Sequence, residues 1–161
     1  MAVGTDAVGG DARPKQRMSA ANAAILFERD GYTLSGPRLM GRQAAGNGFL
    51  RAAVAGRQGE PLWACTRTKD DADEFAALAK ACDDAAETRW LPTDDLPKLA
   101  EVGTLYLPGP GLGNPARLRL RAGPAAYSLC GVTHTTASHV AMADIIEMLA
   151  APVMPWDALI C

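Results

Sequence analysis

From Ala23 to Phe27 the chain reads Ala-Ala-Ile-Leu-Phe, a short apolar run flanked by polar residues. That is the pattern of a strand buried on both faces. Phe49, Leu50, Ala53 and Val54 then recur at helical spacing, with Gly56 and Gly59 placed to end the helix. Leu62 to Cys65 predicts a second strand. Asp71 to Ala85 sets Phe75, Leu78, Ala79 and Cys82 on one helical stripe, and Asp70 to Glu74 put negative charge on the positive end of the helix dipole. Thr88 to Leu91, Thr104 to Leu107 and Ala125 to Val132 read as further strands, and Asp94 to Ala100 as a short helix. A longer helix is expected over Ala137 to Ala150, stopped by Pro152 and Pro155. Between Pro108 and Pro124 the prolines and glycines, followed by Leu118 and Leu120 alternating with Arg117, Arg119 and Arg121, predict a loop leading into an edge strand or extended arm. Asp157 to Cys161 begins one more strand.

Strands alternating with helices imply an α/β fold, a Rossmann-like parallel sheet with helices on both faces joined by right-handed crossovers. In such sheets ligands bind beyond the carboxyl ends of the strands. Two connections expected there contain reactive or anion-binding groups. In the first, Asp30 to Gly46, the glycines Gly31, Gly36, Gly41 and Gly46 recur every five residues around Pro37, Arg38, Arg42 and Gln43. Glycine permits close backbone approach, so amide N–H groups and the next helix N-terminus can face an anion or a sugar hydroxyl, with Arg38 or Arg42 adding a charge-assisted contact. The same composition equally suits a glycine-rich connection with solvated arginines. Neither a Walker A sequence nor a dinucleotide fingerprint is present.

The second connection is Gly131 to Ser138, where His134 lies among Thr133, Thr135 and Thr136. An imidazole at the rim of a sheet can orient or polarise an acceptor hydroxyl. Alternatively Thr136 or Ser138 caps the following helix while His134 satisfies a backbone carbonyl. His139 falls inside that helix and reads as a surface residue. The G-x-G-x-G run of Gly109, Gly111 and Gly113 reads as a turn, because Pro108, Pro110 and Pro115 surround it and no helix is expected after it. No G-x-S-x-G elbow appears, and nothing sets Cys130 and His134 in hydrogen-bond reach.

Composition narrows the picture further. With 48% hydrophobic and 21% charged residues in 161, one compact domain is expected over residues 22–161, preceded by a flexible leader over residues 1–21. The 16 basic and 18 acidic side chains nearly cancel, which excludes an overall field drawing in nucleic acid or an anionic membrane. Neither a run of about 18 apolar residues nor the apolar core of a secretory signal in the first twenty residues is present, so a cytoplasmic location without a transmembrane segment is expected. Cys65, Cys82, Cys130 and Cys161 lie far apart without metal-ligand spacing, and are expected to be buried reduced thiols.

The stretch from Asp30 to Leu50, DGYTLSGPRLMGRQAAGNGFL, resembles the first loop and helix of a bacterial group of GT-B glycosyltransferases similar to family 4. Thr133-His134-Thr135, with Pro152 to Cys161, resembles that group's acceptor-side loop and next strand. The resemblance implies the N-terminal half of a GT-B architecture. It implies transfer of a sugar from a nucleotide diphosphate sugar to an acceptor hydroxyl, with no metal or other cofactor. It makes His134 the catalytic residue lining the cleft, and Gly36, Gly41, Arg42, Thr133 and Thr135 substrate-binding residues. The implied partners are a glycan or small-molecule acceptor and a C-terminal donor-binding domain. That domain has no counterpart after Cys161, so this half alone is expected to be inactive. The alternative is a noncatalytic glycan- or partner-binding module of the same fold. A receiver-like reading, resting on Glu28 and Asp30 as an acidic pocket, lacks a phosphorylatable aspartate, because the strand ending at Leu107 runs into Pro108 and Gly109.

Overall fold

The computed structural model describes residues 23–33, 41–133 and 138–161. The leader over residues 1–21 and the expectations for Gly36, Pro37, Arg38, His134, Thr135 and Thr136 lie outside the described residues. The elements follow in the order β1 (Ala24–Leu26), α1 (Arg29–Tyr32), α2 (Gly41–Gly56), β2 (Leu62–Thr66), α3 (Lys69–Cys82), β3 (Thr88–Pro92), α4 (Leu96–Val102), β4 (Thr104–Tyr106), α5 (Gly113–Arg119), β5 (Ser128–Val132), α6 (His139–Met148) and β6 (Ala158–Ile160). The strands form one sheet in the order β3-β2-β1-β4-β5-β6. Every neighbouring pair is parallel, so the α/β Rossmann-like expectation holds.

Alternating strand residues divide the core in two. Ile25, Phe27, Tyr32, Leu50, Val54, Phe75 and Tyr106 pack in one cluster with α2 and α3, while Ala24, Leu99, Leu105, Leu112, Ala116 and Leu129 pack in another with α4 and α5. Burial of these side chains contributes about 1.5–3 kcal/mol for each large one. Local chemistry fixes the helix ends. The Thr68 side chain accepts from the Asp71 amide to cap α3, the Asp95 side chain accepts from the Lys98 amide to cap α4, and Ser138 accepts from the Ala141 amide to cap α6. Gly103, at φ 85°, closes α4 in the left-handed conformation that glycine adopts without a Cβ penalty.

Two expectations are corrected. The glycine stretch is not a loop throughout: Arg29–Tyr32 is a helical turn and α2 starts at Gly41, well before Phe49. Likewise the expected edge strand around Leu118 and Leu120 is the helix α5, which directly follows the Gly109–Gly113 run. Gly113, Ala116 and Arg119 are its buried positions, three residues apart, and Leu112 is buried at its N-cap. The arginine at the third position hid the apolar helical period, and Pro115 in the first turn needs no amide partner there.

Candidate functional site

Because all the strands are parallel, the segments following β1, β4 and β5 leave the sheet at one rim. β1 and β4 are neighbours in the sheet but not in sequence, so the chain departs from them toward opposite sides. This is the topological switch point, where open α/β sheets leave a crevice for ligands. β5 stands on the far side of β4, which brings the glycine segment and the start of the histidine segment to the same rim with one strand between their origins.

On the β1 side, α1 and α2 meet backbone to backbone. A Cβ built on Gly46 would lie 2.1 Å from the carbonyl oxygen of Gly31, so only glycine fits there. Gly41, in contrast, has nothing among the described residues within 4 Å of such a Cβ and is exposed at the start of α2. The Arg42 side chain folds back over Gly31 and donates from Nη2 to Asp30 Oδ1 at 2.8 Å and to Glu28 Oε2 at 3.3 Å. Arg29 pairs with Asp71 at 3.3 Å and with Glu74, while the Thr33 hydroxyl donates to Glu74 at 3.2 Å. The anion-binding arginine foreseen at position 42 is thus held between two carboxylates, and the pairing of Glu28 and Asp30 with it ties α1 to the start of α2.

Beneath this layer Tyr32 is fully buried, and its hydroxyl donates to the Leu26 carbonyl at 3.3 Å. Burial, reinforced by Tyr106 and Glu28, raises the Tyr32 phenol far above the ordinary tyrosine value, so it stays a neutral donor. Phe49 of α2 stacks on Tyr106 of β4, with centroids 3.6 Å apart and planes inclined by 6°. Burial pushes the Tyr106 phenol up to about 12. The stack joins α2, which follows β1, to β4 across the switch point, within the core cluster on that face of the sheet. Spacing along the chain gave no hint of it, since its members are 57 positions apart, from 49 to 106.

On the β5 side, Thr133 is anchored rather than free. Its amide donates to the Ile160 carbonyl at 2.8 Å and its hydroxyl to the same oxygen at 3.2 Å. Ser138 performs the helix-capping role, and His139 is exposed at the first position of α6. Gly131 explains the fit between β5 and the segment after β4, because an added Cβ would lie 2.8 Å from the Gly109 carbonyl oxygen, which also accepts from the Val132 amide at 3.2 Å. The residues of the Gly109–Gly113 run therefore pack against the sheet and α6: a Cβ on Gly111 would meet the Asp144 carboxylate, and one on Gly113 would meet Glu147.

All four cysteines are free, and only Cys65 is buried, its thiol pushed up to about 12 by that burial. Cys82 and Cys161 are exposed, which corrects the expectation of four buried thiols. Among the described residues no group of three or more His, Cys, Asp or Glu side chains is placed to hold a metal ion. Among them, too, no helix is long and apolar enough to cross a membrane. No family model, curated protein or solved structure matches this chain.

Proposed function

We propose that this chain is the acceptor-side half of a GT-B type glycosyltransferase, which moves a sugar from a nucleotide diphosphate sugar to an acceptor hydroxyl. The observation that supports it is the common rim: the two segments that resemble the family leave β1 and β5 on either side of β4, next to the switch-point crevice. In this reading the exposed Gly41 at the start of α2 leaves its backbone open to a ligand, and the Phe49–Tyr106 stack supplies an apolar platform. Thr133, fixed on the Ile160 carbonyl, sets the origin of the segment from which His134 acts on the acceptor hydroxyl. Gly36 and Thr135 keep their proposed substrate-binding roles in the same two segments. A donor-binding α/β domain facing this rim completes the cleft, because positioning and stabilisation of the leaving diphosphate need both walls. The proposed site is cytoplasmic and uses no metal.

The test is turnover. The chain joined to its donor-binding domain is assayed against a panel of nucleotide diphosphate sugars and glycan acceptors. His134→Ala is expected to lower kcat by about 10²-fold or more, the usual contribution of a positioned acid–base group. Unchanged turnover removes His134 from the reaction, and absence of transfer with every donor removes the glycosyltransferase reading.

One observation favours the second reading, a noncatalytic glycan- or partner-binding module. Arg42 is already neutralised by Asp30 and Glu28, so it offers little charge to a diphosphate. Glycan binding by the chain without any transfer in the assembled enzyme would select this reading.

A further inference from the structure

We draw no further inference here: the strongest candidate, the exposed apolar patch that Met142, Ile146 and Leu149 at α6 form beside the edge strand β6, carries no proposal because nothing in the structure shows what covers it.

Discussion

Gly46 and Gly48 stand two residues apart in α2, yet the structure asks opposite things of them. An added Cβ at position 46 meets the Gly31 carbonyl oxygen at 2.1 Å, whereas at position 48 it meets nothing within 4 Å. Gly46→Ala must push α1 away from α2 and should cost about 1–3 kcal/mol, the range for overpacking. Gly48→Ala should instead stabilise by about 0.5–1 kcal/mol, because alanine loses less backbone freedom in a helix. Urea unfolding midpoints of the two variants check this, and shifts of the same sign would contradict it. The sequence singled out Gly46, one of four glycines recurring every five residues, but not why it must be glycine. A five-residue recurrence fits neither strand nor helix, so the segment read as a loop. The cause at Gly46 is a contact with Gly31, on a different helix. The pairing of Arg42 was hidden for a related reason: its partners Glu28 and Asp30 lie within 14 positions of it, but only the turn of α1 brings them within reach.

At the scale of elements, the least legible helix and the last strand are joined by one buried ion pair. Arg119 of α5 donates to the Asp157 carboxylate at 2.5 and 2.8 Å, and both side chains are fully buried. Arg119 also donates to the Tyr127 and Pro152 carbonyls, and Asp157 accepts from the Leu129 and Met154 amides at 2.8 Å each. Together these bonds lock the segment entering β6 onto β5. Burial alone would raise the Asp157 carboxyl, but the hydrogen bonds from Arg119, Met154 and Leu129 outweigh it and hold the group below the usual carboxylate range. A depressed folded-state value means the stabilisation is complete above the unfolded carboxyl pKa, about 4, and is lost as pH falls through the folded value. Asp157→Ala, which leaves Arg119 buried without its partner, should cost about 3–5 kcal/mol at neutral pH. The gap between wild type and variant should narrow in acid, and denaturant titrations at neutral and acidic pH measure it. A gap independent of pH would contradict the assignment. α3 was legible because its apolar stripe coincides with an acidic first turn. α5 was not, because a core position is filled by arginine, whose burial makes sense only with Asp157, 38 positions away.

For the whole molecule, the alternation of strands and helices was enough to foresee a parallel sheet, since short apolar runs separated by helices leave few other ways to bury both faces. The strand order was not foreseeable in that way. It depends on the reversal between β3 and β4, which places β4 beside β1 rather than beyond β3. That reversal makes the switch point, and the proposed function depends on it more than on any single side chain. Backbone-amide NMR of the chain, titrated with glycan acceptors and then with nucleotide diphosphate sugars, tests the site directly. The account predicts shifts confined to the carboxyl rim, at Glu28 to Thr33, Gly41, Arg42, Gly109, Gly111 and Thr133. Shifts centred instead on the opposite rim, near Glu87 and Gly103, or no shifts with any of these compounds, would contradict it.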